Sequence, residues 1–271
     1  MKKILLISLI FLLNGCNLIE KFPSDYQPIN ESELINPADL NSGVNSNQNL
    51  NEETSINQVN QIVCQSQTIE DKKDNYSIMA NYPVCDLTDQ TKKEILNNDL
   101  VKAINDEISN FKDTLDLVTA PLSNEPNTFE ADYKIATASQ SVLSLYFIIS
   151  TYYNGAAHPN QYYLAYNYDL NKMAKIQLAD LFKSNAKYLD KLSEDCKSEF
   201  SKKFKDVWFT EGCDPKAENF NNFVILPDSL KILIDPYQVA PYVEGPQELN
   251  LKYSELSNLI KTDGVLAEFI K

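Results

Sequence analysis

The sequence predicts an α+β fold, in which an antiparallel, twisted sheet carries two long helices packed on one face, after a disordered tether. Three observations support this prediction: apolar residues alternate in strand fashion in residues 61–85, alternation returns from residue 133, and two segments show helical spacing. The 271 residues are 43% hydrophobic, which is enough for the packed core of one large domain or two small ones.

The two helices are predicted from apolar residues that recur every three or four positions. The first helix spans about residues 88–117, and its apolar face consists of Leu96, Leu100, Ile104, Ile108, Phe111 and Leu115. The second helix has a similar face, formed by Leu189, Leu192, Cys196, Phe200 and Phe204. Because each face is apolar and the rest of each segment is polar, we expect both helices to pack on the sheet.

The strands are predicted from alternation and from turn signals. Two strands flank a polar turn at 71–74, and residues 142–153 form the most apolar strand of the chain. Asn154-Gly155 then signals a turn into the next strand. A later hairpin is centred on 227–229, and a short helix near 253–260 closes the predicted fold.

The N-terminal residues resemble a bacterial lipoprotein signal. Lys2 and Lys3 precede an apolar run of ten residues, 4–13, which is too short to cross a bilayer core of roughly 30 Å. Gly15-Cys16 follows, so we expect residues 1–15 to be removed and Cys16 to be lipidated; an ordinary cleaved signal peptide is the alternative. The chain should then lie in the cell envelope, anchored to a membrane, and at the outer membrane facing the periplasm if the cell has two membranes.

Residues 16–60 are rich in Asn, Ser, Glu and Gln and show no sustained periodicity. Such a segment buries too little apolar surface to offset its ordering entropy, so we expect a disordered tether. We divide the remainder into a small αβ domain, 61–132, and a second domain, 133–271.

Four cysteines remain after Cys16: Cys64, Cys85, Cys196 and Cys213. In an oxidising compartment we expect two disulfides, for which three connectivities are possible. We favour Cys64–Cys85 and Cys196–Cys213, because each pair brackets one local unit. A metal site of four thiolates is the alternative, although no C-x-x-C spacing supports it.

Charge and motifs exclude several classes of function. The 24 basic residues are all lysines against 38 acidic residues, and the pI is near 4.5, which argues against a nucleic-acid partner. His158 is the one histidine, and the sequence contains no nucleophile elbow, zinc-protease motif or glycine-rich phosphate loop. We therefore predict a protein that is not an enzyme and needs no cofactor or metal; an unrecognised hydrolase is the least favoured hypothesis.

Three motifs in the second half carry a family resemblance. They are the turn at 153–160 (YNGAAHPN), the strand with Asn167-Tyr168-Asp169, and the segment 178–182 (LADLF). Together with the later string at 237–245 (YQVAPYVEG), they resemble the RsiV-like domain. Residues 61–132 are similar to the small domain that precedes it in RsiV and in the deacetylase PdaC.

The resemblance implies an envelope binding module. RsiV is an anti-sigma factor whose extracellular domain binds lysozyme, a basic protein, and PdaC joins this type of module to a deacetylase domain. That deacetylase domain needs an Asp and two spaced histidines for its metal, so one histidine implies that the activity is absent from this chain. Without residues 1–15, 22 lysines face 38 acidic residues, a balance that would attract a basic partner.

We therefore predict a lipid-anchored module that binds a basic protein such as lysozyme, in a protective or sensing role. The alternative is a module that binds peptidoglycan or another envelope glycan through aromatic side chains. The candidate contact residues lie in loops: Phe220, Tyr237, Tyr242 and His158. The tyrosines could instead be core residues, and His158 could simply hydrogen-bond the local backbone.

Overall fold

A computed structural model describes residues 62–115, 125–205 and 207–270. The predicted signal peptide, the lipidation site Cys16 and the tether 16–60 lie outside these residues. Within the described ranges, no helix combines the length and the apolar character needed to span a membrane.

The described residues form nine strands and three α-helices in a mixed α+β arrangement, which confirms the predicted fold class. In chain order the elements are β1 Val63–Lys73, β2 Tyr76–Asp86, α1 Gln90–Leu115, β3 Asn127–Ala138, β4 Val142–Tyr152, β5 Asn160–Asp169, β6 Ala174–Lys175, α2 Tyr188–Phe204, β7 Phe223–Ile225, β8 Ser229–Ile234, β9 Gln247–Lys252 and α3 Tyr253–Leu256.

The first sheet contains β1 to β6 in sequence order. All neighbouring strands are antiparallel except β2 and β3, which run parallel because α1 carries the chain across between them. The predicted apolar face of α1 is buried against this sheet, from Leu96 to Phe111. The spacing of its apolar residues therefore predicted this helix and its buried face correctly.

The second sheet is an antiparallel meander of β7, β8 and β9. Helix α2 buries Leu192, Cys196, Phe200 and Phe204 in the core that lies on this sheet. The strands are thus divided between two sheets, and each long helix packs in a different core. The predicted domain boundary at residue 132 falls inside β3, so strands from both sides of it share the first sheet.

Both disulfides of the favoured connectivity are present. Cys64 and Cys85 lie directly opposite each other on β1 and β2. Cys196 on α2 is joined to Cys213, at the end of a short 3-10 turn. Because all four cysteines are in disulfides, no thiolate remains for the alternative metal site.

A buried polar seam joins the two sheets. The Thr137 hydroxyl donates to the carbonyl of Ile225 at 2.7 Å, and the Ile225 N–H donates to the Ser144 hydroxyl at 2.8 Å. That hydroxyl donates to Asn167 Oδ1 at 2.6 Å, and Asn167 Nδ2 donates to the Phe223 carbonyl at 2.7 Å. Each buried polar group thereby has a partner, which fixes β7 against the first sheet.

Candidate functional site

Three of the four predicted contact residues lie together at the surface. The rings of His158 and Tyr242 stack, with centroids 3.8 Å apart and planes inclined by 21°. The Tyr237 ring lies 5.5 Å from that of Tyr242 and 6.3 Å from that of His158. We call His158, Tyr237 and Tyr242 the aromatic cluster.

The turn between β4 and β5 presents His158. Asn154-Gly155 forms this turn as the sequence predicts: Gly155 has φ of 91°, and the Ala156 N–H donates to the Tyr153 carbonyl at 2.8 Å. His158 then stands exposed just before β5 begins.

Hydrogen bonds hold the aromatic cluster together. The Pro159 carbonyl accepts from Tyr242 Oη at 2.9 Å and contacts His158 Nδ1 at 2.8 Å. Because a carbonyl oxygen only accepts, Nδ1 carries the proton in this contact. In the neutral ring, His158 Nε2 is then the acceptor for the Tyr237 hydroxyl, 3.2 Å away.

Tyr237 is held in an unfavourable backbone conformation. Its φ is 68°, in the left-handed region that non-glycine residues rarely occupy, and its side chain is 55% exposed. Residues in such conformations persist when the surrounding structure fixes them, and they are enriched at binding sites. The exposed ring is therefore presented by a constrained loop.

Helix α2 and its disulfide support that loop. Gln238 Nε2 donates to the carbonyls of Gly212 and Asn219, at 3.0 and 2.9 Å. Gly212 is packed so closely that an added Cβ would lie 1.9 Å from the Gln238 carbonyl oxygen. The Phe209 N–H also donates to the Val239 carbonyl at 2.8 Å. The turn that ends at Cys213 therefore positions the neighbouring Tyr237.

Phe220 does not belong to the aromatic cluster, which corrects its prediction as a contact residue. Its side chain is fully buried in the core formed by α2 and the second sheet. The Cys196–Cys213 disulfide and the Gln238 bond to Asn219 draw the loop inward, which buries its apolar ring. Phe220 thus stabilises the support of the site without reaching solvent.

Apolar side chains that the sequence analysis overlooked are also exposed in the two loops beside the cluster. Val207 is 64% exposed, Phe209 39% and Val243 86%, whereas Trp208 packs partly against the core. The signal for the first two was three consecutive large apolar residues, 207–209, directly after an amphipathic helix. This run follows the end of α2 at Phe204, and successive side chains of an extended segment point in opposite directions, so part of the run faces solvent.

A partly buried carboxylate, Asp235, lies two residues before Tyr237. Asp235 Oδ1 accepts the Tyr163 N–H at 2.7 Å, and burial raises the pKa of Asp235 above its usual value. Burial also raises the pKa of the Tyr163 hydroxyl to about 12. Both groups thus lie in a poorly solvated margin between β5 and the Tyr237 loop.

The aromatic cluster presents rings and hydroxyls at the surface. Among the residues that the structure describes, His158 Nδ1 contacts the Pro159 carbonyl and Nε2 contacts the Tyr237 hydroxyl, and neither nitrogen contacts a serine or a carboxylate. Across the parts of the chain that the structure describes, no group of three His, Cys, Asp or Glu side chains could hold a metal ion. Exposed rings and hydroxyls can bind a partner by stacking and by hydrogen bonding.

Two family models match the chain. Residues 69–161 match the family "Deacetylase PdaC", and residues 179–254 match the family "Protein of unknown function (DUF3298)". The peptidoglycan-N-acetylmuramic acid deacetylase PdaC of Bacillus subtilis is 33% identical over 193 residues. This match covers 69% of the chain but only 39% of the length of that relative.

Solved structures of low sequence identity share the fold. A DUF3298-family member from Bacteroides fragilis has a TM-score of 0.56 at 15% identity, covering 78% of this chain and 98% of that one. A DUF3298-family protein from Pseudomonas aeruginosa has a TM-score of 0.50 at 13% identity, covering 74% and 94%. By these comparisons, the chain carries PdaC-like domain content over residues 69–161 and DUF3298-like domain content over residues 179–254.

Proposed function

We propose that this protein is a lipid-anchored binding module of the bacterial cell envelope, without catalysis, that binds a basic protein such as lysozyme. The observation that carries the proposal is the aromatic cluster, in which a stacked His158–Tyr242 pair and an exposed Tyr237 are presented by constrained loops. The chain carries a formal charge of −14, which favours a basic partner.

The cluster has the physical properties of an interface anchor. Tyrosine rings offer a large contact area and a hydroxyl, and they lose little conformational entropy on binding. Stacking and the Pro159 carbonyl already fix Tyr242 and His158, so less entropy remains to be lost. Exposed Val243 and Phe209 add apolar surface in the neighbouring loops.

The envelope location is supported by the relatives and by the N-terminal sequence. The name of the B. subtilis relative places its activity on peptidoglycan, and the sequence resembles RsiV, whose extracellular domain binds lysozyme. Cys16 would supply the lipid anchor. We do not extend the deacetylase activity of PdaC to this chain, since its metal site needs two histidines and this chain has one.

Titration calorimetry of residues 17–271 with a c-type lysozyme, at low and moderate salt, tests the proposal. We expect micromolar or tighter binding that weakens with salt, because the attraction between opposite charges is screened. Tyr242→Ala and Tyr237→Ala should each weaken binding at least tenfold. Tyr82→Ala serves as the control, because Tyr82 is a partly exposed tyrosine on β2. Absence of binding at both salt concentrations would contradict the proposal.

A peptidoglycan or other envelope glycan is the alternative ligand. The stacked, exposed rings could also pack against a sugar face, and the name of the relative mentions peptidoglycan. Binding of soluble peptidoglycan fragments should then be nearly independent of salt. It should be lost in Tyr242→Ala, while lysozyme binding would be absent.

Lipidation is tested separately in cells. The full chain should incorporate a fatty-acid label and sediment with membranes, whereas Cys16→Ser should do neither. Membrane attachment that persists in Cys16→Ser would contradict the proposed anchor.

A further inference from the structure

One end of the first sheet leaves a face open to solvent. Helix α1 covers the opposite face, where Ile78, Ala80, Phe129 and Ala131 are buried. On the face away from α1, the strand register aligns five residues in one row across the strands: Glu70, Met79, Glu130, Ser150 and Gln161. The row spans roughly 19 Å, since neighbouring strands lie about 4.8 Å apart.

The second sheet covers only part of this face. Val224 and Leu233 pack on Tyr146, and Ile148 and Tyr163 lie at the margin of this contact. Beyond that margin Met79 is 53% exposed, although it lies in the middle of a strand of an otherwise well-packed sheet. We call the uncovered region, with Glu70, Met79, Glu130 and Asp132 at its centre, the open face.

The open face is predominantly acidic. Glu70, Glu130 and Asp132 are exposed there, and none of the three forms a salt bridge with any residue that the structure describes. Lys72 lies in the neighbouring row on one side, whereas Lys134 lies two rows away on the other side, beyond the row of Asp132. The carboxylates flank the exposed Met79 side chain, which gives an apolar spot with an acidic border.

The open face continues into the aromatic cluster along β5. Gln161, which ends the central row, follows His158 by three residues. The neighbouring row ends at Tyr163, whose N–H donates to Asp235, two residues before Tyr237. A partner that contacts the cluster can therefore also reach the open face.

We propose that the open face is a second contact surface for the basic protein partner, and this inference rests on the proposed function. Other occupants fit its charge less well. A second copy would bring the same carboxylates together, which is unfavourable. Residues 1–61 carry seven acidic side chains against three lysines, so the chain's own N-terminal segment is acidic too.

Charge reversal with a matched control tests the proposal. Glu70→Lys/Glu130→Lys reverses two charges on the open face, and Glu194→Lys/Glu199→Lys reverses two exposed charges on α2. Both variants change the net charge equally, so they change long-range attraction similarly and differ in the local contact. Lysozyme binding by residues 17–271 should weaken at least tenfold in the first variant and at most about threefold in the second. Glu70→Gln/Glu130→Gln replaces the first variant if thermal unfolding shows that it is destabilised.

The outcomes separate the two proposals. If lysozyme binding weakens equally in both reversal variants, the open face is not a contact surface, whereas the proposal that the aromatic cluster contacts the partner is unaffected. A dimer of the unmodified chain in sedimentation, dissociated by the open-face variant, would identify a second copy as the occupant and also overturn it. If the unmodified chain does not bind lysozyme, the proposed function fails and the open-face proposal fails with it.

Discussion

His158 stacks on Tyr242 with ring centroids 3.8 Å apart, and both side chains contact the same Pro159 carbonyl oxygen. The turn between β4 and β5 is thereby joined to the loop between β8 and β9. Because this carbonyl can only accept, the contact also selects one tautomer of the histidine ring.

Neutral His158 should carry its proton on Nδ1. The Pro159 carbonyl lies 2.8 Å from Nδ1, and the Tyr237 hydroxyl can donate to Nε2. A long-range proton–nitrogen correlation spectrum at alkaline pH measures this directly, and the assignment is immediate because the chain has one histidine. Tyr237→Phe should keep the Nδ1–H form, since the Pro159 contact remains. An Nε2–H ring in the unmodified chain would contradict the geometry.

Gly212→Ala should displace the loop that carries Tyr237. The new Cβ would lie 1.9 Å from the Gln238 carbonyl oxygen, so the backbone must move. We expect the free energy of unfolding, measured in urea, to fall by at least about 2 kcal/mol, which lies in the range found for overpacked sites. Because the displaced loop would move Tyr242 away from His158, the NMR resonances of His158 should also lose the ring-current shift that the stacked Tyr242 ring causes.

Gly245→Ala is the control for this substitution. Gly245 has φ of 66°, but no atom lies within 4 Å of an added Cβ. With ψ of −172°, Gly245 has a conformation that essentially only glycine adopts, so the cost should be limited to backbone strain of about 1–3 kcal/mol. Gly212→Ala with unchanged His158 resonances would show that the turn at Cys213 does not position the loop.

The local elements of this fold are readable from the sequence, whereas their division into two sheets is not. The apolar residues of α1 show regular spacing because they all face one sheet, and the buried face follows from that spacing. The parallel pairing of β2 with β3 depends on where α1 returns the chain, and no short-range pattern records it. Likewise, the sequence does not predict the hydrogen bond from Asn167 to the Phe223 carbonyl, because the two residues lie far apart along the chain.

The candidate site shows the same limit. Phe220 and Tyr237 are both aromatic residues in predicted loops, yet one is fully buried and the other is 55% exposed. The difference arises from the disulfide at Cys213 and from the Gln238 side chain, which draw one loop inward and hold the other at the surface. The one difference between the two residues that the sequence shows is the phenolic hydroxyl of Tyr237, which favours a position where that end of the ring reaches water.

Asn167→Ala should destabilise the seam between the two sheets. The substitution removes two buried hydrogen bonds and leaves the Phe223 carbonyl without this donor. We expect the free energy of unfolding to fall by about 2–4 kcal/mol, the combined cost of lost bonds and a small cavity. Urea denaturation measures it. Asn160→Ala, at an exposed position of the same strand, should change stability by less than about 0.5 kcal/mol.

Asp235→Asn should stabilise the protein at neutral pH. Burial raises the pKa of Asp235 above 3.8, so its ionised form is disfavoured in the folded state. The unfolded chain releases this proton first as pH rises, and the native protein therefore loses stability between 3.8 and the folded pKa. Asparagine retains an oxygen that can accept the Tyr163 N–H and carries no charge. The gain of the variant should thus appear above that window and be smallest below pH 3.8.

Asp71→Asn provides a control of opposite sign. Hydrogen bonds from Lys112 and Tyr76 lower the pKa of Asp71 below 3.8, so its ionised form stabilises the folded state. That contribution is present at neutral pH and is lost as pH falls through the pKa of Asp71 in the folded state. Asp71→Asn should therefore be less stable than the unmodified chain at pH 7. In acid, the free energies of unfolding of the two proteins should become similar. Urea unfolding of both variants from pH 3 to 7 measures the two trends. If Asp235→Asn also proved less stable at pH 7, the Asp235 carboxylate would be making a favourable interaction that outweighs its burial, and the sign of its pKa shift would be wrong.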